Sequence, residues 1–355
     1  MEPKPERAFA QPSPRKPGIG VPARAFVTGA TGLLGSNLVQ ALLDAGYEVR
    51  GLVRSKEKAQ KIFPGAAVDF VTGDMNNVAG FASHLAGCDV LFHTAAYFRE
   101  YYQPGDHKAT LEKINVQGTV DLLIAAEKQG VQKAIHISSA GVIGRKPDGS
   151  AGDESTPPDD HAAKNLYFTS KVDTELAIKR FLKERSLPVV MVLPSWMWGP
   201  GDSAPTAAGK LVLDFLKKKL PGVIDGGSSI VDVRDVAQAT VAAADRGKSG
   251  ERYIVGGHYF DFAEILAALE RVTGVPAPTR KIPYALSLAV GAAAQTWASM
   301  TGGKALVTLA GVRTIHGKNE VNSAKAIREL GASFRPFEET VRDEVQWFRT
   351  HGYTA

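Results

Sequence analysis

Tyr167 and Lys171 stand four residues apart in the stretch YFTSK, and of the chain's nine tyrosines only this one has a lysine at that spacing. Upstream, the apolar run KAIHISS ends in Ser138 and Ser139. A hydroxyl, a phenol and an ammonium in one place suit hydride transfer to a carbonyl. The alkoxide that forms must be protonated, and free tyrosine, with a pKa of about 10, exchanges its proton slowly at neutral pH. An ammonium at ~4 Å, with an effective dielectric near 20, favours the phenolate by about 4 kcal/mol. That is up to about three pKa units. Ser139 would donate to the carbonyl oxygen as charge develops. The plainer reading is a half-buried helix tyrosine beside a polar turn, so the elements that carry these residues must decide.

On a helix, positions i and i+4 share a face. The segment LYFTSKVDTELAIKRFLKERS reads as that helix. Before it, short apolar strands alternate with helical segments. RAFVT, YEVRGLVR, VDFVTGD, DVLFHTAA, KAIHISS and VVMVLP read as strands, with helices in LLGSNLVQALLDAG, near Ala79–Ala86 and in LEKINVQGTVDLLIAAEKQG. This alternation predicts an α/β fold, a doubly wound parallel sheet of the Rossmann type, with its site at the carboxyl ends of the strands. After Trp198 the rhythm loosens and strands become few, which predicts a smaller, mostly helical C-terminal substrate lobe. The expected divisions are a Pro-rich, disordered tail over 1–22, a dinucleotide-binding domain over 23–198 and a substrate-binding lobe over 199–355, partly interleaved with it.

The first strand runs into TGATGLLG, with Gly29, Gly32 and Gly35 in the turn. Gly29 suits a tight exit from the strand, Gly32 the approach of a pyrophosphate, and Gly35 close packing of the helix on the sheet. Thr31, Leu33 and Leu34 belong to the same turn, where free helix N–H groups meet an anion. At the end of the second strand Arg54 stands where an acidic residue would grip a ribose. An arginine there accommodates a 2′-phosphate, favouring NADP (NADPH) over NAD; a surface residue lying over the adenine is the other reading. Asp74, followed by Met75, is placed to accept from the adenine amino group or simply to make a turn.

Bulk properties narrow the classes. The 355 residues carry a formal charge of +5, and the one cysteine, Cys88, cannot form an intrachain disulfide. No Cys/His spacing suggests a metal, no basic stripe suggests nucleic acid, and no apolar stretch suggests a signal or a membrane span. A soluble, cytoplasmic enzyme with a small-molecule substrate is the expectation.

Taken in order, TGATGLLG, GD at 73–74, HTAA at 93–96, INVQGT, SSAGVIG, YFTSK, LPSWMWGPGD and VDVRDVAQA resemble the extended short-chain dehydrogenase/reductase family, nearest its dihydroflavonol 4-reductase-like branch. The resemblance implies that Tyr167 is the acid/base, that Lys171 assists it and holds the cofactor ribose, and that Ser139 orients the carbonyl. It further implies that Asn115 belongs to a water relay, that Ala95 and Ala96 line the adenosine and pyrophosphate, that Pro194 and Ser195 touch the nicotinamide end, and that the chain could pair as a homodimer. Two departures weigh against sugar-nucleotide chemistry. Ile143 replaces the tyrosine of the epimerase-like SSxxVYG, and no asparagine stands near Ser195 or Trp196.

Two aromatic-rich stretches, AYFREYY and SWMW, should line the substrate pocket. They offer Tyr97, Phe98, Tyr101 and Tyr102, and Trp196, Met197 and Trp198. Arg99 and Arg234 are the candidates for meeting a diphosphate, Arg234 with a structural role as its alternative. The leading expectation is an NADPH-dependent oxidoreductase acting on a small, largely apolar carbonyl or alcohol. An NAD(P)-dependent sugar epimerase or dehydratase is the enzyme alternative, and a catalytically silent NADP-sensing or scaffold protein the alternative of another class.

Overall fold

Strands as apolar as VVMVLP persist only where both faces of a sheet are covered. The computed structural model describes residues 23–98, 105–301 and 309–354. Its first half runs β1 (Arg24–Thr28), α1 (Leu33–Asp44), β2 (Glu48–Val53), α2 (Lys56–Ile62), β3 (Val68–Thr72), β4 (Val90–His93), α3 (Lys108–Leu111), a π-helical turn (Glu112–Gln117), α4 (Gly118–Lys128), β5 (Lys133–Ile137), α5 (Asp160–Ala163), α6 (Leu166–Glu184) and β6 (Val189–Pro194). The second half runs β7 (Trp196–Trp198), α7 (Ala207–Leu216), β8 (Val223–Ile224), β9 (Gly227–Asp232), α8 (Val233–Arg246), β10 (Arg252–Val255), β11 (His258–Asp261), α9 (Phe262–Thr273), β12 (Lys281–Ile282), α10 (Tyr284–Thr301), α11 (Leu309–His316), α12 (Ala324–Leu330) and α13 (Phe337–Thr350).

Seven parallel strands form the main sheet in the order β3-β2-β1-β4-β5-β6-β10. Successive residues of a strand point to opposite faces, so each strand feeds two cores. Val27, Ile135 and Val192 pack under α1 and α8 with Leu38, Leu42 and Val236. Phe26, Leu91, Ala134 and Met191 pack on the other side against Leu122 and Leu123 of α4 and Ile178 and Phe181 of α6. Each fully buried side chain of this kind stabilises the fold by about 1.5–3 kcal/mol. A third core joins Trp198, Val212, Phe215, Ile265, Leu269, Val341 and Phe348 in the smaller, mostly helical C-terminal region.

Two local expectations need correction. Strands do not become few after Trp198: β8, β9, β11 and β12 lie there in small sheets, and β10 completes the main one. Stretches such as VI and KI are too short to stand out from their surroundings. The helix near Ala79–Ala86 is instead a pair of 3-10 turns, Val78–Gly80 and Ala82–Leu85. The expected disordered tail, and Arg99, Tyr101 and Tyr102, lie outside the described residues.

Candidate active site

Because the main sheet is all parallel, its carboxyl ends share one edge. The chain leaves β1 toward β2 and β3, and leaves β4 toward β5 and β6, so a crevice opens where β1 and β4 part. The glycine turn sits at its mouth. Gly29 has φ +68°, and a Cβ there would lie 2.8 Å from Thr94 Oγ1 and 2.9 Å from Ala95 N. At Gly35 a Cβ would stand 2.0 Å from the Gly29 carbonyl oxygen, so only glycine lets α1 lie this close. Gly32 donates to Gly29 O at 2.9 Å and caps α1 without a side chain. The first-turn N–H groups of Leu33, Leu34 and Gly35 therefore face outward beside the half-buried Thr31, a cradle that fits a pyrophosphate.

Around the cradle, Ala95 N donates to Thr28 Oγ1 at 3.3 Å, and Ala95 and Ala96 are half-buried just after β4. Asp74 Oδ1 accepts from the backbone and side-chain nitrogens of Asn76, both at 2.8 Å, so this carboxylate closes its own turn over the buried Met75. Arg54 is exposed just past β2 and forms no ion pair with any described residue. Pro194 ends β6, and Ser195 Oγ donates to Gly256 O at 2.7 Å.

Tyr167 enters α6 in its first turn because Asn165 caps the helix. The Asn165 Oδ1 accepts from Tyr167 N at 3.0 Å and Phe168 N at 3.3 Å. Ser139 Oγ accepts from Gly141 N at 3.1 Å, which occupies a lone pair and leaves its O–H for another acceptor. A Cβ at Gly141 would meet the Phe168 ring at 2.2 Å, so the serine turn is seated directly against the residue next to Tyr167. Lys171 is 3% exposed; its Nζ donates to Ile137 O at 2.7 Å and lies 5.8 Å from the Tyr167 ring centroid. The structure thus brings Ser139, Tyr167 and Lys171 together.

Asn115 lies in the π-helical turn, where the widened backbone leaves its carbonyl to the hydroxyls of Thr119 at 2.6 Å and Thr174 at 3.0 Å. Its side chain accepts from Tyr97 N at 2.8 Å and donates to Tyr97 O at 3.2 Å and Ser170 Oγ at 3.1 Å. These bonds make it a clamp on the segment that carries Tyr97.

Beneath this layer lie His93 and His136, with ring centroids 5.2 Å apart. The Thr119 hydroxyl is committed to Asn115 O, so it accepts from His93 Nε2 at 3.0 Å, and His93 Nδ1 accepts from Thr28 at 2.7 Å. Burial, reinforced by the Lys171 charge, pushes His93 down to about 3 and His136 well below its usual value, so both stay neutral. Burial also lowers Lys171 to about 8, against the pull of Glu175. The ammonium is less firmly charged than a solvated lysine.

Tyr97 and Phe98 pack beside Tyr167, with the Phe98 ring 4.7 Å from it, whereas the half-buried Trp196 packs on the C-terminal core, its ring 5.2 Å from that of Trp198. Trp198 corrects the expected pocket lining. It is 0% exposed, wedged edge-on against Phe337 at 5.3 Å in the C-terminal core. Arg234 bridges Asp232 at 2.7 Å and Asp343 at 2.6 Å, the structural one of its two readings. Sequence reasoning missed Asn165, Thr174 and Glu175. Asn165 carried a signal, a capping residue just before a helix, and so did Glu175, which continues the four-residue spacing of Tyr167 and Lys171.

Residues 25–256 match the NAD dependent epimerase/dehydratase family. The chain belongs to this family. It is an NAD(P)-dependent enzyme of the oxidoreductase and epimerase/dehydratase type, acting on a small substrate through a Rossmann fold. Over 332 residues it is 34% identical to a Synechocystis sp. protein with the provisional name dihydroflavonol 4-reductase, covering 92% of this chain and 95% of that one. It is 31% identical to sterol demethylase protein B of Methylococcus capsulatus, covering 92% and 98% of the two chains. With the 4-hydroxy-2-methyl-3-oxo-4-farnesyl-3,4-dihydroquinoline-1-oxide ketoreductase of Stigmatella aurantiaca it shares 30% identity over 88% of this chain and 92% of that one. Among solved structures, gox2253 superposes with a TM-score of 0.79 at 32% identity, over 93% of this chain and 99% of that one. The UDP-glucuronic acid 4-epimerase of Bacillus cereus, in complex with UDP-glucuronic acid and NAD, gives 0.74 at 21% identity over 92% and 99%. At that identity the likeness is one of fold.

Proposed function

We propose that this enzyme reduces the carbonyl of a small, largely apolar substrate with NADPH, or oxidises the corresponding alcohol. The observation that carries the reading is the convergence of Ser139, Tyr167 and Lys171 on one side of the crevice, with aromatic side chains beside Tyr167. A bound nicotinamide would supply the hydride. Ser139, its oxygen already accepting from Gly141, directs its O–H at the carbonyl oxygen. Tyr167 gives its proton to that oxygen, and Lys171 stabilises the phenolate left behind and holds the ribose. The glycine turn takes the pyrophosphate, and Arg54, exposed and without an ionic partner among the described residues, takes the 2′-phosphate. The full-length relatives named as reductases support this direction and an apolar substrate class.

A second reading, an NAD-dependent epimerase or dehydratase acting on a sugar derivative, has specific support. The family description names that chemistry, and the NAD-bound enzymes sharing the fold include sugar-nucleotide epimerases and dehydratases. On these comparisons it is the better supported of the two. Against it stand Ile143, Arg54 and the engagement of Arg234 with Asp232 and Asp343. A paired screen decides. Aryl and alicyclic ketones and aldehydes are offered with NADPH and with NADH, and nucleotide sugars with NAD. NADPH-dependent reduction of a carbonyl is the expected result. Saturable turnover of a nucleotide sugar with no carbonyl reduced would replace the first reading by the second.

A further inference from the structure

Tyr167, Lys171 and Glu175 follow one another at i, i+4 and i+8 along the buried face of α6, which also carries Ser170 and Thr174. Glu175 takes no part in the proton transfer described above, yet it is 5% exposed, and an unpaired carboxylate in such a place is strongly disfavoured. Its two oxygens have separate partners. Oε1 accepts from Ser138 Oγ at 2.5 Å, and Oε2 lies 3.2 Å from Arg252 Nε on β10. Arg252 is itself fixed, donating from Nη1 to Glu154 O at 3.0 Å. Ser138 stands between Ile137, whose carbonyl accepts from Lys171, and Ser139. The strand end that presents Ser139 is therefore gripped twice from one helix, by Lys171 and by Glu175.

We propose that Glu175 is a positioning residue for this reaction: through Ser138 it holds the turn that presents Ser139, and through space its charge supports the Lys171 ammonium. The proposal rests on the reading of Ser139, Tyr167 and Lys171 given above. The charged and titratable groups around the pair are few. Lys171 faces Tyr167 and Glu175 on its own helix, His93 on β4 and His136 on β5, and both imidazoles are neutral. Glu175 faces Arg252 on β10, and Lys171 and Lys179 on α6. Of these groups, Glu175 is the one whose charge opposes the loss of the Lys171 proton. Burial pushes the Glu175 carboxyl above its usual range, and the Arg252 guanidinium and the Ser138 hydroxyl pull against that rise.

The test is the pH dependence of NADPH affinity, followed by nicotinamide fluorescence, which needs no substrate. In the parent protein affinity should weaken as pH rises and Lys171 loses its proton; Lys171→Met should lack this limb. Glu175→Gln keeps the size and the acceptor for Ser138 but removes the charge, so its limb should begin roughly one pH unit lower. A purely structural role would lower the melting temperature and leave the limb in place. Should Glu175→Gln fold poorly, the double variant Glu175→Gln/Arg252→Met removes both buried charges together, a change folds often tolerate, and should show the same shift. A limb unmoved in both variants overturns the proposal. Turnover of Tyr167→Phe, measured in parallel, separates the two claims. Full activity there defeats the catalytic reading, whereas an inactive Tyr167→Phe with an unmoved Glu175→Gln limb defeats the positioning role alone.

Discussion

Two clusters of buried charge can be set side by side. Under α6, Lys171 is buried with a backbone carbonyl for a partner and has no carboxylate within ion-pair distance among the described residues. In the C-terminal region two buried carboxylates, Asp232 and Asp235, are matched by guanidinium groups. Asp232 meets Arg234 at 2.7 Å and Arg335 at 3.6 Å, and Asp235 meets Arg335 at 2.7 Å. Breaking a buried ion pair by removing one partner is strongly destabilising, and a matched cluster of this kind fixes the joint between α8 and the segment before α13. An unmatched cation does the opposite. It raises the energy of the folded state and leaves an ammonium whose field acts on a neighbouring phenol. The first cluster trades stability for reactivity, and the second is structural.

The largest expected effect falls on the reactive cluster. Tyr167→Phe should lower turnover by roughly 10²–10⁴-fold, the usual contribution of a positioned acid/base. NADPH affinity should hardly change, because no cofactor contact is lost. Steady-state kinetics beside a fluorescence titration check both halves.

Next comes the structural cluster. Arg335→Ala leaves Asp235 and Asp232 short of a cation and should cost about 3–5 kcal/mol in denaturant unfolding. Turnover per folded molecule should stay at the parent level, since Arg335 is engaged by Asp232, Asp235 and Glu339 rather than by the Tyr167 cluster. Equal losses of stability and of intrinsic activity would erase the distinction between the clusters.

Lys171→Met should show the reverse signature, a loss of turnover with a gain in stability. A fall from 10.5 to about 8 corresponds to roughly 3 kcal/mol against the folded state when the lysine is charged. The penalty is complete below about pH 8, where the native ammonium must be held in a dry site. Between about pH 8 and 10.5 the unfolded chain binds the proton more tightly than the native one, so the parent protein gains stability relative to the variant as pH rises. The variant should be the more stable at neutral pH, and the gap should close toward pH 10.5. A Lys171→Met protein less stable than its parent at pH 7 would mean that the bond to Ile137 O outweighs desolvation.

The same contrast explains what could be read from the residues alone. The glycine turn, the strand–helix alternation and the Tyr167–Lys171 pair are short-range patterns set by backbone sterics and by helical periodicity, so they stand in the sequence as local signals. The partners that tune them are long-range. Arg252 is far from Glu175 along the chain, and Thr28 is far from His93; only the sheet order brings them together. Trp198 misled for a related reason. It shares its stretch with the half-buried Trp196, two residues away on the same face of β7, and the two rings meet edge to face at 5.2 Å on the C-terminal core. Composition cannot tell an aromatic pair that lines a pocket from one that builds a core.

The smallest effect concerns Arg54, and it tests how far the short-range reading extends to cofactor choice. The second strand ends at Val53, and Arg54 follows it, exposed and without an ion pair among the described residues. A guanidinium engaged elsewhere would have to give up a partner to meet a phosphate; this one has none to lose among the described residues. One charge-assisted contact to a 2′-phosphate contributes ~1.5–3 kcal/mol, so Arg54→Ala should raise the NADPH dissociation constant roughly ten- to a hundred-fold. NADH carries a hydroxyl at that position, and its constant should barely move. The effect should shrink as salt is added, because the contact is solvent-exposed. NADH binding tighter than NADPH in the parent protein would assign NAD instead. That outcome would leave the glycine turn and the Tyr167–Lys171 pair as they stand and remove the argument from the end of β2.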